Sequence, residues 1–178
     1  MISVALIAAT QVMGADEWDD ADMKIRRVDP REFKELPIDL IQELKKLGCA
    51  VPQTFTSKKR HNVVSGTFAK KGQKDWAVLC SRDRSSSVLI FWGGDKQCPS
   101  EILPSKDREW LQGTGDGIGY SRAIRAVDKN FIVSHFEAYG GPTPPTILHQ
   151  GIDEAFIEKA SVVHYCHKGK WLRLTGAD

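Results

Sequence analysis

The most reactive side chains in this sequence crowd near its C-terminal end, where His164, Cys166 and His167 follow one another in HYCH. Imidazole and thiolate are both ligands for a transition metal. On a strand, however, His164 and Cys166 project to one face and His167 to the other. A closed metal site needs four groups, and His61, His135 and His149 stand alone at spacings that do not complete one. The pattern therefore predicts no metal. Cys166 reads as a disulfide partner and His164 as a half-exposed strand residue.

A second cluster is the run GTGDGIG, with glycine at every second position from Gly113 to Gly119. No GK[ST] follows it, and the glycines do not fall as GxGxxG, so neither phosphate-binding fingerprint is present. The run reads as a flexible loop between sheet elements, with Asp116 and Arg122 as the side chains a ligand would meet there. Nucleophilic motifs are missing as well: there is no GxSxG, HExxH or SxxK, and Ser65 in VVSGTF lacks the first glycine of an elbow. The sequence assigns no catalytic residue and implies no cofactor. An enzyme would need a site assembled in space, around the glycine loop and His135 or His149.

Charge is the third signal. Between Lys58 and Arg84 the basic residues are Lys58, Lys59, Arg60, Lys70, Lys71, Lys74, Arg82 and Arg84, against Asp75 and Asp83, a local net of +6 in a chain whose total is only +2. Such a segment attracts polyanions. Turns that merely face water give the same pattern. Lys58, Lys59, Arg60, Lys70 and Lys71 are the candidate ligand contacts on this reading.

The stretch GTFAKKGQKDWAV, Gly66–Val78, resembles the FG-GAP or VCBS-type hairpin of secreted β-propeller proteins, whose pattern is GDFNGDGxxDLAV. Gly66, Phe68, Gly72 and Asp75 stand in the pattern's places, and Trp76-Ala77-Val78 follows like its strand. In that family, acidic side chains and a loop carbonyl hold calcium, a cation that needs hard oxygen ligands. Here Thr67, Ala69 and Lys71 replace three ligands, and Lys70 adds a further positive charge. The resemblance thus implies the hairpin without the ion. The expected substitute is Lys70 or Lys71 beside Asp75, an exposed pair worth under about 1 kcal/mol. A propeller would need several such blades. The combination of CAVPQ, GQKDWAVLC and ASVVHYCHKGKWLRLTGAD also resembles uncharacterised secreted bacterial proteins, which implies a location and no activity.

These residues must be positioned by regular elements. PIDLIQELKKLGC predicts a helix over about 37–47, with Ile38, Ile41 and Leu44 on one stripe beside Leu40 and Leu47, Pro37 in the first turn and Gly48 past the end. The preceding acidic run, Asp16 to Asp22, reads as a loose or surface segment. NVVSGTF, DWAVLCS and SSVLIFWG are short, β-branched and aromatic, and predict a three-stranded meander. DWAVLCS has apolar groups on both faces, so it should be central. Asp95–Asp107, with Pro99 and Pro104, reads as loop, FIVSHFEAYG as a strand, and GGPTPPT as rigid loop. SVVHYC and KWLRLTG should form a hairpin around Gly169. Trp76, Trp92, Trp110 and Trp171 read as core.

A chain of 178 residues, 41% hydrophobic and 27% charged, suits one globular domain. Residues 1–15, MISVALIAATQVMGA, resemble the apolar region and cleavage site of a secretory signal, although the positive start is missing. They are too short to span a membrane. Cys49, Cys80, Cys98 and Cys166 contain no CxxC pair and allow two disulfides in any of three pairings. Together these features predict a periplasmic or secreted α+β domain over 16–178, with a mostly antiparallel sheet of six or seven strands and one N-terminal helix. The expected function is a non-catalytic binding or interaction module of the envelope, its partner an envelope protein or a polyanion. The alternatives are a small hydrolase-like enzyme near the 113–119 loop and a polyanion-binding protein using Lys58–Arg84.

Overall fold

The computed structural model describes residues 16–177. The expected leader, residues 1–15, lies outside them. The acidic N-terminal run is a helix, not loose chain. Asp16 accepts hydrogen bonds from the amides of Trp18 and Asp19 at 3.0 and 2.9 Å and caps α1, Glu17–Met23. Carboxylates in a first turn also suit the positive end of the helix dipole. Asp22 is buried, and it shares Arg27 with the fully buried Asp107 through contacts of 2.9 and 2.7 Å. The helix is thereby fastened to the core.

After β1, Arg27–Val28, comes α2, Ile38–Lys46, within a residue or two of the expected bounds. Leu40 and Leu44 are its buried residues, whereas Ile38 is 66% exposed and falls off the stripe. Gly48 sits at φ +68°, and the amides of Gly48 and Cys49 reach back to the carbonyls of Lys45 and Leu44 at 3.0 Å each. This left-handed stop turns Cys49 toward Cys80, with which it forms a disulfide. β2, Val51–Pro52, then pairs antiparallel with β1.

The meander is present as β3, Val63–Gly66, β4, Asp75–Arg82, and β5, Ser85–Phe91. β4 is central and covered on both faces. A fourth strand, β6, Glu101–Lys106, occupies the segment expected to be loop. It is an edge strand, which is where Pro104 costs no ladder bond. A short hairpin follows, β7, Leu111–Thr114, and β8, Gly117–Tyr120, so the glycine run is a two-stranded ribbon and not a loop.

The second sheet contains β9, Arg122–Val127, β10, Gly151–Phe156, β11, Ala160–His167, and β12, Lys170–Thr175, in that spatial order and antiparallel throughout. Lys168 and Gly169, both at positive φ, make the two-residue turn of the terminal hairpin. Between β9 and β10, the segment expected as a strand is α3, Lys129–Tyr139. Its aromatic and β-branched content suggested a strand. Asp128 decides otherwise by capping the Phe131 amide at 3.0 Å, and Gly140 ends the helix.

The two four-stranded sheets pack face to face, with α2 outside the first and α3 outside the second. Ala77, Leu79, Val88, Ile90 and Ile102 of the first meet Ile124 and Ile152 of the second. Val78, Cys80 and Leu89 pack outward on Leu40 and Leu44. Val163, Tyr165 and Leu174 pack outward on Ile132. The architecture is α+β, as expected. Twelve strands and three α-helices among the described residues exceed the six or seven strands and one helix expected. The second disulfide, Cys98–Cys166, ties the approach to β6 to β11.

Candidate functional site

Where β6 parts from the second sheet, the sandwich opens into a cleft of about 710 Å³. Glu101, Ile102, Pro104 and Ser105 line one side, and residues of β9–β12 line the other. Strand alternation determines which side chains face it. The registers Phe156↔Arg122, Ile152↔His164 and His164↔Arg173 place Arg122, Glu154, Phe156, Val162, His164, Trp171 and Arg173 on one face of the second sheet.

The floor is polar. Arg122 is 2% exposed. Its Nε and Nη2 donate to Glu154 Oε1, the Nε bond at 2.7 Å, and its Nη1 donates to Ser86 Oγ at 2.8 Å and to the Ser86 carbonyl. Its guanidinium carbon lies 4.6 Å from the Trp110 ring, a cation–π contact made in a nearly dry setting. Glu154 Oε2 accepts from His164 Nε2 at 2.6 Å. Burial pushes the Glu154 carboxyl up, but the His164 hydrogen bond and the Arg122 charge outweigh it and hold its pKa at about 2. An ionised carboxylate only accepts, so Nε2 carries the proton. Nδ1 of His164 has no hydrogen-bond partner among the described residues, and the ring lines the cleft. In the neutral ring it offers a lone pair, in the charged ring an N–H.

The floor is braced from behind. Ser86 Oγ meets the Tyr120 hydroxyl at 3.2 Å, and burial raises the pKa of that phenol, keeping it neutral. The fully buried Asn62, at φ +70°, spans the two sheets. Its Nδ2 donates to the carbonyls of Pro52 and Arg122, at 2.7 and 3.1 Å, and its Oδ1 accepts the Ile124 amide at 2.9 Å. Asparagine tolerates this backbone conformation better than most residues. The start of β9, and Arg122 with it, is fixed by that clasp.

The walls are aromatic. Trp110 stacks on Phe156 with ring centroids 5.6 Å apart, and its Nε1 donates to Ser105 Oγ at 2.6 Å. Trp171 stacks on Trp92 at 6.0 Å and donates to the Pro99 carbonyl at 2.9 Å. All four expected core tryptophans are only partly buried, and two of them line the cleft.

Of the expected site residues, Arg122 belongs to this cleft, although by way of β9 and not of the glycine run. Asp116 is exposed at the tip of the β7–β8 ribbon. His135 and His149 do not join it. His135 lies between Phe131 and Tyr139 on α3 with its ring tilted against both, and His149 stacks on Tyr165 with its Nε2 against the Cys166 carbonyl. His164 is 5% exposed, not half-exposed. Cys166 is disulfide-bonded, as expected. No group of metal ligands assembles among the described residues.

The basic segment is largely engaged. Arg60 pairs with Glu32, Lys70 with Asp95, Arg82 with Glu101 and Arg84 with Asp22. Lys74 lies 4.9 Å from the Trp76 ring centroid. Lys58, Lys59 and Lys71 are exposed and have no ion pair among the described residues.

The expected lysine–Asp75 pair is not formed. Lys70 turns outward to Asp95 at 2.6 Å. Asp75 is fully buried and accepts the amides of Phe68, Ala69 and Gly93 at 2.9, 3.0 and 3.0 Å and the Gln73 side-chain amide at 2.7 Å. Neutral donors hold this carboxylate because four short hydrogen bonds compensate its desolvation, which a single mobile ammonium at the surface cannot do.

Sequence reading missed Glu154, His164 and Arg173 as a group. Their spacings give no motif, and only the register of three neighbouring strands joins them. No protein family matches this chain, and no curated protein or solved structure is similar to it.

Proposed function

We propose that this protein is a non-catalytic binding module of the bacterial cell envelope or secreted fraction, and that its ligand occupies the cleft between the sheets. One observation carries the reading: an aromatic-walled cleft of drug-ligand size stands over a floor whose charges already satisfy one another. Such a combination of apolar walls with a few fixed polar groups suits a small-molecule site. Two disulfides favour an oxidising compartment, and no helix among the described residues is long and apolar enough to cross a membrane. The Gly66–Asp75 turn fits a calcium hairpin whose ion has been replaced by backbone amides and Gln73.

The test is a titration with the amphipathic fluorophore 1-anilinonaphthalene-8-sulfonate, an aromatic anion. The native protein should enhance its emission saturably. Val162→Trp, which fills the cleft, should abolish the effect while leaving the near-ultraviolet circular dichroism intact. Equal enhancement by both proteins would overturn the reading.

A hydrolase-like enzyme is the second reading. Glu154 behind His164 is the orienting half of a general-base pair. The cleft hydroxyls, however, are occupied elsewhere: Ser105 accepts from Trp110, and Ser161 accepts the Ala177 amide at 2.7 Å. Ester or amide turnover that disappears in His164→Ala would establish this reading. A polyanion partner has less support, because half of the basic side chains in Lys58–Arg84 are paired with carboxylates in place.

A further inference from the structure

One guanidinium of the cleft has no carboxylate partner among the described residues, and it selects a ligand class. Five of its lining residues are ionisable: Glu101 on β6, Arg122 on β9, Glu154 on β10, His164 on β11 and Arg173 on β12. Arg122 and Glu154 cancel. Glu101 is ion-paired through Oε1 with Arg82, from outside the cleft, at 2.6 Å, and the same oxygen accepts the Ser87 hydroxyl at 2.5 Å. Both oxygens of Glu154 are used, by Arg122 and by His164. Arg173 is left. It is exposed, has no carboxylate partner among the described residues, and stands directly opposite His164 across the β11–β12 ladder. Directly opposed side chains on one face lie within about 5.5 Å at their Cβ atoms. A guanidinium and an imidazole nitrogen without a protein partner therefore share one corner of an otherwise aromatic cleft.

Resting on the cleft reading above, we propose that the ligand is a planar, apolar carboxylate. Its ring lies against the Trp110–Phe156 wall, where offset stacking contributes beyond area burial. Its carboxylate is received by Arg173, in the two-pronged geometry that guanidinium offers, with His164 Nδ1 as the second contact when the ring is protonated. Glu154 cannot compete for Arg173, because Arg122 and His164 already fix it. Charge complementarity thus fixes the head group, and the walls fix the body.

The experiment uses 2-naphthoate and its neutral counterpart 2-naphthalenemethanol, each titrated into the full protein by isothermal calorimetry. The expected result is binding of both, with the acid about tenfold tighter, which corresponds to about 1.4 kcal/mol. Arg173→Gln, a change at an exposed position, should remove that advantage and leave the affinity for the alcohol unchanged. Equal affinities for acid and alcohol in the native protein would overturn the carboxylate assignment and leave the cleft reading standing. So would an equal loss for both in Arg173→Gln. Binding of neither compound would overturn both. Val162→Trp supplies the remaining control: acid binding that survives a filled cleft is binding elsewhere, and it overturns the proposal.

Discussion

Glu154 and His164 lie diagonally across the β10–β11 ladder, and Nε2 of the imidazole donates to Oε2 of the carboxylate over 2.6 Å. The other carboxylate oxygen takes two donors from Arg122. One carboxylate therefore holds a guanidinium and an imidazole in place at the bottom of the cleft. Removing one member of a buried ion pair leaves its partner charged and uncompensated, at a cost of about 3–5 kcal/mol. Glu154→Gln should lose that much in urea unfolding. Arg122→Met combined with Glu154→Leu, which removes both charges and keeps the volume, should lose less. A Glu154→Gln protein within about 1 kcal/mol of the native one would show that the floor is not a stabilising network.

The same pair sets an acid limit. The folded pKa of Glu154 is held at about 2, below the ordinary 4.5. A depressed folded pKa means that the unfolded chain binds the proton more readily. The stability contributed is complete above about pH 4.5 and is lost as pH falls toward 2. Urea midpoints of the native protein and Glu154→Gln should therefore differ most above pH 5 and converge between pH 4.5 and 2. Taking the difference removes the background from exposed pairs such as Asp29–Arg31, which titrate in both proteins. A gap that stays constant over this range would show that Glu154 does not titrate there.

The fold was readable where local rules act alone. The α2 helix, the β3–β5 meander and the β11–β12 hairpin are governed by periodicity, a C-terminal glycine and a two-residue turn, and each came out in place. The failures have a common cause. Pro104 signals loop unless the strand is known to be at an edge, and FIVSHFEAY signals strand unless Asp128 is weighed as a cap. The site was less legible still. Arg122 was named for its neighbourhood to the glycine run, yet its partners, Ser86 and Glu154, lie 36 and 32 residues away in sequence. Sheet order and register bring them together, and neither is written in any one segment.

The Asp75 turn separates two kinds of carboxylate contact. Lys70–Asp95 is an exposed pair, so Lys70→Ala should cost under about 1 kcal/mol. Asp75→Ala strands the amides of Phe68, Ala69 and Gly93 together with the Gln73 side chain. Each unsatisfied buried donor costs about 1–3 kcal/mol, so a loss of several kcal/mol, or failure to fold, is expected. Millimolar calcium should leave the thermal midpoint unchanged, because the oxygen that would bind it is already committed. A calcium-dependent rise in the midpoint that Asp75→Ala removes would overturn this assignment.

The two disulfides should differ in what they control. The Cys98–Cys166 link spans a sequence separation of 68 and the Cys49–Cys80 link one of 31. Chain-entropy arguments give each about 4 kcal/mol, the longer link slightly more. Their positions matter more than this small difference. Cys98 precedes β6, one wall of the cleft, and Cys166 lies on β11, which forms part of the other. Cys49 and Cys80 instead join the end of α2 to β4 on the far side of the first sheet. A non-reducing peptide map should therefore recover 49–80 and 98–166. Cys98→Ala/Cys166→Ala should weaken both the fold and the binding of 1-anilinonaphthalene-8-sulfonate. Cys49→Ala/Cys80→Ala should weaken the fold by a similar amount and leave fluorophore affinity unchanged at temperatures where it remains folded. Equal loss of affinity in the two variants would place the site somewhere other than between β6 and β11.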